Sequence, residues 1–538
     1  MSRQLRFAML LGCMLLVTKG AFGKTYYVAA NGADTNNGTA FATPWLHAPG
    51  MVNCSNLCAS TSINPGDSII LRGGDTWHSS APGQTSTPIG LPWTLTATGS
   101  SGAQLYVGVD NTTANASGAG TTGWYNTSVC GGSWCRPKLN DDNPLSTTPV
   151  ASCTYQTNPN VLMVMANPHS YVTLDNIEFL GFCWQDIPAN NPTEGVLGDQ
   201  AIGLGDIISN NYFHGWTHKA FNCTQSPSCT CVSVDDGVGN INTSSQTGGN
   251  IVLAGNVIDG ADSVLGTSAI VFGAYDMHNN IIRYTNGGVV VELPHITHDN
   301  LIELNTQTAS CAHSNGIEFN SEYNSENYFY NNVVRNNGVG INVQLNPFKT
   351  TYYFNNICYG NQQVCFGIPQ APNWDGGLVS AFNNSDSDGG GYLGLPNCAV
   401  TGATVYANNL FINTAFCGAN TGGVSWTNAS ATSAGYTLTT TYALAPQTNN
   451  CNGTTPCGVG TGSNMTSTCN SFADSTAKAA CLQDTTFAVK YDSASNVAVY
   501  PARTTIPRPS GNWDAGAFQF NSNQQVVLPP VLKSATPH

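Results

Sequence analysis

The sequence predicts an all-β solenoid, a parallel β-helix, and two observations carry this prediction. A short signature recurs eight times: Asn after a polar residue or Gly, followed by two or three mainly apolar positions. The shorter spacings between copies are 20 to 24 residues, and each copy holds short alternating apolar runs with no room for a helix. Coils of this length, built only from short strands, are typical of a parallel β-helix. The signature Asn residues are Asn176, Asn211, Asn256, Asn280, Asn300, Asn332, Asn356 and Asn409.

These Asn residues have a structural interpretation. In a parallel β-helix equivalent residues stack about 4.8 Å apart, so an Asn at one turn can hydrogen-bond the Asn of the next coil. Asn also tolerates the left-handed backbone of a tight bend. We therefore expect the eight side chains to form a buried ladder.

The composition excludes several classes of protein. Only 9% of residues are charged, and 16 Lys and Arg against 30 Asp and Glu give a net charge of −14. So few cations cannot build the basic face that a nucleic-acid-binding protein needs. The chain has too many apolar and aromatic residues to be a disordered acidic polymer.

The N-terminus and the cysteines indicate export. Residues 1–23 read as a secretory signal peptide, with Arg3 and Arg6 before a short apolar run that ends at Val17. The alternative, a lipoprotein site at Cys13, is less favoured because the apolar run continues beyond it. No segment has the about 20 apolar residues of a membrane span. We therefore expect an extracellular or periplasmic protein.

The cysteines themselves predict disulfides rather than a metal site. Of 19 Cys, Cys13 lies in the signal peptide, which leaves an even number, and many are near neighbours. Such spacing in a secreted chain suggests bridges that clamp loops, whereas zinc would need paired CxxC units, which this sequence lacks. The neighbouring pairs are Cys54 with Cys58, Cys130 with Cys135, Cys358 with Cys365 and Cys451 with Cys457.

Four segments resemble the secreted right-handed parallel β-helix proteins of the pectate-lyase-like superfamily. They are TYYVAANGADTNNGTAFATPW at the mature start, NPGDSIILRGGDTW (64–77) with GSSGAQLYVG (99–108), SYVTLDNIEFLGF (170–182) and RPSGNWDAGAFQF (508–520). The resemblance implies a single-stranded right-handed β-helix from about residue 24 to 520. It implies less about chemistry, because this superfamily includes lyases, hydrolases, epimerases and non-catalytic adhesins.

The expected organisation follows from the resemblance and the repeat. Residues 24–160 would form an N-terminal cap and first coils, residues 161–415 the central coils, residues 416–520 irregular C-terminal coils or a capping region, and residues 521–538 a flexible tail. The oligomeric state is not predicted.

The strands before the Asn signatures can be aligned with one another. They are AIGLG (201–205), AIVFG (269–273), GVVVE (288–292), GIEFN (316–320) and GINVQ (340–344). Positions two and four are apolar in all five strands, so they should face the core. Positions three and five should then face outward. The outer face then carries Glu292 and Glu318.

This alignment places the two carboxylates on neighbouring coils. They differ by two residues along the strand and by one coil, which gives a separation of roughly 8 Å between their Cβ atoms. Inverting glycosidases hold their two carboxyl groups roughly 6.5–9.5 Å apart. We therefore predict a secreted enzyme that cleaves a polysaccharide by inverting hydrolysis, with Glu292 and Glu318 as acid and base in unassigned order.

Further polar and aromatic residues are candidates for binding the sugar. His295 leaves the Glu292 strand and His313 precedes the Glu318 strand, so either could orient substrate. The remaining candidates for substrate binding are Asn320, Asn342, Gln344 and Trp216. We expect no metal ligands and no required cofactor.

Two alternatives remain open at this point. A β-eliminating polysaccharide lyase, with Ca²⁺ as a possible assistant, would need a base, for which Lys219 or His218 is the best candidate. The central coils offer few cations to neutralise a uronate, which favours a neutral glycan. The third alternative is a non-catalytic glycan-binding or adhesin β-helix.

Overall fold

The protein is described from a computed structural model. The described residues are 23–110, 123–155, 161–166, 170–185, 195–199, 205–219, 239–243, 250–264, 268–271, 275–285, 289–291, 296–305, 315–319, 326–343, 350–361, 366–367, 379–387, 404–414, 419–435, 450–486, 489–500 and 504–520. The predicted signal peptide before Gly23, Cys13 included, and the predicted tail 521–538 lie outside them.

The described chain is a right-handed parallel β-helix, which confirms the predicted fold class. Its short strands pair in parallel with the strands one coil before and one coil after. In chain order, the first twenty are β1 (Thr25–Val28), β2 (Ser68–Leu71), β3 (Thr76–Ser79), β4 (Ile89–Leu91), β5 (Trp93–Leu95), β6 (Leu105–Gly108), β7 (Lys138–Asn140), β8 (Val161–Met165), β9 (Val172–Asp175), β10 (Glu178–Leu180), β11 (Cys183–Trp184), β12 (Gly195–Asp199), β13 (Ile207–Ser209), β14 (Tyr212–Phe213), β15 (Thr217–His218), β16 (Gly239–Thr243), β17 (Val252–Ala254), β18 (Val257–Asp259), β19 (Ser268–Val271) and β20 (Asp276–His278).

The second half of the chain continues the same pattern as far as residue 426, whereas Lys490–Asp492 and Val497–Val499 form a separate antiparallel pair. Its strands are β21 (Ile281–Arg283), β22 (Val289–Val291), β23 (Ile296–His298), β24 (Leu301–Glu303), β25 (Asn315–Phe319), β26 (Asn327–Tyr330), β27 (Val333–Arg335), β28 (Val339–Val343), β29 (Thr351–Phe354), β30 (Ile357–Tyr359), β31 (Phe366–Gly367), β32 (Val379–Phe382), β33 (Ser385–Ser387), β34 (Thr404–Ala407), β35 (Leu410–Ile412), β36 (Asn420–Thr421), β37 (Val424–Trp426), β38 (Lys490–Asp492) and β39 (Val497–Val499).

Three long sheets run the length of the solenoid. Sheet 1 has 13 strands in the order β1-β2-β6-β9-β13-β17-β20-β23-β26-β29-β32-β34-β36. Sheet 2 also has 13, in the order β37-β35-β33-β30-β27-β24-β21-β18-β14-β10-β7-β3-β4. Sheet 3 has 9, in the order β31-β28-β25-β22-β19-β16-β12-β8-β5. A regular coil passes from sheet 1 to sheet 2, then to sheet 3, and back to sheet 1.

The corner between sheets 1 and 2 is a two-residue turn, and it holds the predicted Asn ladder. The first turn residue is left-handed, as at Asn279 with φ 58°. The second is a buried Asn: the Asn280 amide donates to Asn300 Oδ1 at 3.0 Å and to the Leu253 carbonyl at 2.8 Å. Asn280 Oδ1 in turn accepts from the backbone N–H of Asn256. The buried amide of Asn280 is thus paired at both its oxygen and its nitrogen, so this ladder position can repeat from coil to coil.

The ladder differs from the predicted one at two places. Asn176 has φ 59° and occupies the first, left-handed position of its turn; Ile177 stands at the ladder position and its N–H donates to Asn211 Oδ1. Asn384, which the sequence analysis did not include, joins the ladder between Asn356 and Asn409. The long gap before Asn409 is therefore two coils rather than one coil with a long loop.

A second, shorter ladder lies where the chain leaves sheet 2. Its members are Asn305, Asn337 and Asn361, preceded by Thr285, and the backbone N–H of each residue donates to the side-chain oxygen of the next. The sequence analysis did not identify it.

The described interior residues form an apolar cluster that extends from Tyr26 to Phe411. Stacked aromatic pairs contribute in several coils, such as Phe179 with Phe213, whose ring centroids are 4.6 Å apart. The N-terminal end is filled by Trp45, Trp77 and Trp93, all fully buried. The described helices lie outside the sheets and are short: α1 (Asn56–Ser60), α2 (Thr127–Cys130), α3 (Asn428–Ser433), α4 (Thr466–Asn470) and α5 (Ser475–Cys481). None of these described helices has the length and hydropathy to cross a membrane.

The predicted local disulfides are largely confirmed. Three of the four neighbouring pairs are bridged, namely Cys54–Cys58, Cys130–Cys135 and Cys451–Cys457. Cys358 is disulfide-bonded too, and its predicted partner Cys365 lies outside the described residues. Two further bridges are Cys153–Cys183 and Cys469–Cys481.

Most of the C-terminal region does not continue the coils. Only β36 and β37 extend the sheets, and the residues after them fold back along the outside of the solenoid. There Phe472 and Trp513 pack on sheet 1, and Val489 and Phe518 pack on sheet 2. The expected C-terminal coils or capping region is therefore mainly a cover for the corner between these two sheets.

Candidate functional site

The strand alignment made from the sequence is correct for four consecutive coils of sheet 3. Val289 pairs with Ile317 and Ile317 with Ile341, while Val290 pairs with Glu318 and Glu318 with Asn342. Ile270 pairs with Val289, as aligned. Ile317 is fully buried, which matches its predicted position in the core.

The alignment is wrong at its N-terminal end. The strand that occupies this part of sheet 3 is β12, Gly195–Asp199, instead of AIGLG at 201–205. Leu197 of β12 pairs with Ile241 of β16, and Ile241 pairs with Ile270. The sequence alignment omitted β16 because its Gly-Asn-Ile-Asn-Thr run has a single apolar residue.

The predicted catalytic face is described only in part. Glu318 lies in β25 and Asn342 in β28, next to each other across the sheet. Glu292 directly follows Val291, the last residue of β22, and lies outside the described residues. So do His295, His313, Asn320 and Gln344.

The chain segments that flank sheet 3 are longer than the corner between sheets 1 and 2. In the coil that contains β25, residues 304–314 lead into the strand and residues 320–326 lead out of it. The C-terminal cover packs on sheets 1 and 2 in the described clusters. Sheet 3 is therefore the sheet on which these described C-terminal clusters do not pack.

Trp216, predicted to contact the sugar, belongs to the core instead. It is 1% exposed, and its indole N–H donates to the Val264 carbonyl at 3.0 Å. A ring enclosed in this way has no face for a sugar, so the substrate-binding role predicted for Trp216 is wrong.

The predicted lyase bases lie in a tightly packed turn. His218 is fully buried in β15, and its Nδ1 lies 2.7 Å from the Lys219 carbonyl. Lys219 is half-buried. Its backbone forms a β-bridge with Val150, and its N–H donates to the Trp184 carbonyl. A base must reach the substrate carbon acid, which a fully enclosed imidazole cannot do.

The neighbouring His214 is held between two carboxylates. Its Nδ1 lies 2.8 Å from Asp262 and its Nε2 lies 3.1 Å from Glu178, which Lys138 also contacts. Burial opposes the charged form, but the hydrogen bonds to Asp262 and Glu178 outweigh it and raise the pKa of His214 to about 9. A protonated imidazole is not a base at neutral pH.

Sheet 2 carries a ladder of alternating charges on its outer side. The register aligns Asp259, Arg283, Glu303, Arg335 and Tyr359 in successive coils. Arg335 Nε contacts Glu303 at 2.6 Å, and Arg283 Nε lies 3.7 Å from both Asp259 and Glu303. These two arginines therefore neutralise acids of the protein itself. They are two of the four Lys and Arg residues in the predicted central coils, residues 161–415.

A second charged cluster lies on the outer side of sheet 1 and was not predicted. It consists of Asp276 and His278 in β20, His298 in β23, and Asp299 in the following turn. Asp276 Oδ1 lies 2.9 Å from His278 Nδ1 and 3.4 Å from His298 Nε2, and His298 Nδ1 lies 2.6 Å from Asp299. Three ligand atoms, one each from Asp276, His278 and His298, lie within 4.8 Å of one another.

The electrostatics of this cluster follow from its contacts. Burial lowers the pKa of His298, but its hydrogen bonds to Asp276 and Asp299 outweigh burial and raise that pKa to about 9. Burial acts to raise the pKa of Asp276, and the two imidazoles more than reverse this and hold it below its usual range. A sequence signal existed, since DMHNN (276–280) and ITHDN (296–300) place His at the same position before the turn.

Comparisons with known proteins give structural likenesses only. No protein-family model and no curated protein matches the chain. A pectate lyase, Pel9A, is 14% identical, with a TM-score of 0.46, and the match covers 93% of this chain and 97% of that one. A lacto-N-biosidase of family GH136 from Eubacterium ramulus is 11% identical, with a TM-score of 0.40 and coverage of 79% and 68%. A rhamnogalacturonan lyase is 12% identical, with a TM-score of 0.36 and coverage of 68% and 82%.

These identities and TM-scores are too low to assign a reaction or a substrate. The chain's own strand pairing establishes that it is a right-handed parallel β-helix, the fold that the resemblance to the pectate-lyase-like superfamily implied.

Proposed function

We propose that the protein is a secreted enzyme that cleaves a polysaccharide along the outer face of sheet 3 by inverting hydrolysis. Glu292 and Glu318 are the acid and base of this proposal. The observation that supports it is the strand register, because Val290 pairs with Glu318. Glu292 follows Val290 by two residues, so the predicted offset of two residues and one coil rests on an observed pairing.

The proposed chemistry needs this offset. Side chains alternate along a strand, so the strand predicted over residues 288–292 would carry residues 290 and 292 on one face, and Val290 pairs with Glu318. Two glutamates whose Cβ atoms are roughly 8 Å apart can hold their carboxyl groups at the spacing of inverting glycosidases, which leaves space for one water between the base and the sugar. The acid donates its proton to the leaving glycosidic oxygen while the base takes a proton from that water, whose oxygen attacks the anomeric carbon.

Neighbouring residues extend the proposed site in both directions. Asn342 continues the row of Glu318 on the next coil, and Asn320, Gln344, His295 and His313 lie near it in sequence. Amides and imidazoles can bind the hydroxyl groups of a sugar without adding net charge. We therefore propose a neutral glycan as substrate.

The charges of the described residues favour hydrolysis over elimination. A lyase must neutralise the uronate carboxylate, and the protein has a net charge of −14. Arg283 and Arg335 are engaged with Asp259 and Glu303, and His214 is engaged with Asp262 and Glu178. These three cations are therefore engaged with acids of the protein itself, and a lyase mechanism could use Ca²⁺ from solution instead.

The test is product analysis by mass spectrometry after incubation with neutral and uronate-containing polysaccharides. Hydrolysis adds one water to each cleaved bond, whereas elimination gives an unsaturated product one water lighter. We expect hydrolysis products, and a loss of kcat of at least about 100-fold in both Glu292→Gln and Glu318→Gln.

A matched control separates chemistry from folding. Glu326→Gln makes the same isosteric change in a half-buried residue that contacts Tyr328 on sheet 1, so it should keep the activity. Unsaturated products would move the mechanism to Ca²⁺-assisted elimination, and Lys219→Ala would be the next variant. Absence of cleavage of every polymer would favour the non-catalytic glycan-binding alternative.

A further inference from the structure

The cluster of Asp276, His278 and His298 on the outer face of sheet 1 brings three potential metal ligands together. β20 and β23 are adjacent strands, and His278 pairs directly with His298 across them. Asp276 is two residues before His278, so both side chains lie on the same face of the strand. The two imidazole rings stack, with centroids 5.0 Å apart and an angle of 15° between their planes.

The distances match those of a metal-binding site. Zinc bonds of about 2.0–2.2 Å in tetrahedral geometry place neighbouring ligand atoms about 3.3 Å apart. The carboxylate oxygen of Asp276 lies 2.9 Å from one imidazole nitrogen and 3.4 Å from the other. Small side-chain rotations therefore suffice to place an ion between the three groups.

Asp299 provides an independent observation. Metal-binding histidines usually donate their second ring N–H to a carboxylate, which fixes the ring and directs the other nitrogen at the ion. Asp299 lies 2.6 Å from His298 Nδ1, and Nε2 is the atom that lies toward Asp276. Thr486 of the C-terminal cover in turn hydrogen-bonds Asp299.

Asp299 also departs from the repeat. It occupies the left-handed first position of the turn, with φ 56°, where Asn279, Asn331 and Asn355 stand in neighbouring coils. Asn adopts this left-handed position in those coils, so the turn does not require a carboxylate here. The carboxylate of Asp299 stands at this turn position in the coil whose sheet 1 strand, β23, ends at His298.

The ligand types and their exposure indicate which ion would bind. Two imidazoles and one carboxylate suit zinc and other divalent transition metals, whereas Ca²⁺ takes oxygen ligands. The side chains of Asp276 and His278 are 28% and 25% exposed, so an ion can enter from solvent. Tyr330 stacks on His298 at 4.7 Å and encloses the other side.

We propose that Asp276, His278 and His298 bind a divalent transition-metal ion, with Zn²⁺ as the preferred ion and Asp299 as the residue that orients His298. Three protein ligands leave a fourth position for water. The ion would join two adjacent coils at the place where the C-terminal cover contacts the turn. This site is on a different sheet from the proposed catalytic pair and does not depend on that proposal.

The test is isothermal titration calorimetry. The full chain is first stripped of metal with a chelator and is then titrated with ZnCl₂ and, separately, with CaCl₂. We expect one equivalent of Zn²⁺ to bind and a rise in melting temperature on addition of Zn²⁺. His278→Gln and Asp276→Asn should abolish this binding, and Asp299→Asn should weaken it by about 10–100-fold. Circular dichroism checks that each variant is folded.

His78→Gln is the matched control, since His78 also contacts an aspartate, Asp142, at 2.8 Å but is not part of the cluster. It should bind Zn²⁺ like the unaltered protein. Zn²⁺ binding that persists in folded His278→Gln and Asp276→Asn would overturn the proposal. So would binding of Ca²⁺ alone, or no binding of either ion.

Discussion

At the scale of single residues, the informative feature is where charge is enclosed. His214 is 12% exposed and bridges Glu178 and Asp262, while its ring stacks on Tyr212. Hydrogen bonds rather than burial determine its protonation. His214 therefore stabilises the fold as a cation and is unsuited to act as a base.

The stability of the fold should depend on pH through His214. A folded-state pKa of about 9, against about 6.5 in the unfolded chain, corresponds to about 3 kcal/mol of stabilisation. Because the folded pKa is raised, this contribution is complete below pH about 6.5 and is lost as the pH rises through about 9. We expect His214→Gln to lower the free energy of unfolding by up to about 3 kcal/mol at pH 6 and by little at pH 10. Urea unfolding of the unaltered protein and of His214→Gln from pH 6 to pH 10 measures this difference in the free energy of unfolding. A difference that grows with pH would contradict the prediction.

At the scale of the elements, the coils are held in register mainly by their corners. The two-residue turn and its buried Asn recur at nearly constant geometry, whereas the loops beside sheet 3 vary in length. This explains what the sequence could predict. The Asn-Asn pairs revealed the coils. At the start of the ladder Ile177 takes the place of the buried Asn, so Asn176 was assigned to the ladder by mistake. The polar strand β16 was missed.

The candidate site was less predictable than the fold for a physical reason. The strand register of Glu318 and Asn342 was predicted correctly because apolar alternation fixes their strands, while their role stays a prediction. Trp216 was not predicted correctly, since its indole is enclosed by a contact with the Val264 carbonyl, 48 residues later in the chain, which no local sequence pattern shows. The His278–His298 cluster was missed because its members pair across two coils, on a face that the sequence analysis had not aligned.

The ladder should be costly to interrupt. Asn332 accepts from the N–H and the amide of Asn300 and donates to the Thr297 carbonyl and to Asn356. Asn332→Ala leaves several of these buried groups unpaired, so we expect a loss of about 2–4 kcal/mol in the free energy of unfolding. Chemical denaturation measures it, and Asn470→Ala, at an exposed helix end, is the control that should change little. A loss below about 0.5 kcal/mol in Asn332→Ala would show that the ladder is not a major source of stability.

At the scale of the whole molecule, the C-terminal cover joins distant coils. Arg136 in the N-terminal coils reaches the Ser495 carbonyl, and Arg508 donates to Asn355 in the corner of the central coils. Arg508 also bonds the carbonyls of Gly516 and Ala517 within the cover. A cover that contacts sheets 1 and 2 along this length leaves sheet 3 as the face on which we propose catalysis.

The cover should therefore be separable from the coils. Trp513 is fully buried between them, and its indole N–H donates to the Pro509 carbonyl. Trp513→Ala removes this packing, at a cost of about 3–5 kcal/mol. Because stacked coils depend mostly on their neighbours, we expect the cover to detach before the solenoid unfolds.

Hydrogen–deuterium exchange with mass spectrometry distinguishes the two outcomes for Trp513→Ala. Exchange should rise in the cover, residues 465–520, and on the outer strands beneath it, while sheet 3 keeps its protection. Val499→Ala, which truncates a side chain that is 40% exposed in the same cover, should leave the exchange pattern unchanged. Coils that fold independently of the cover would keep their Asn ladders and their protection. Equal loss of protection in all three sheets would therefore mean that the cover and the coils unfold as one cooperative unit.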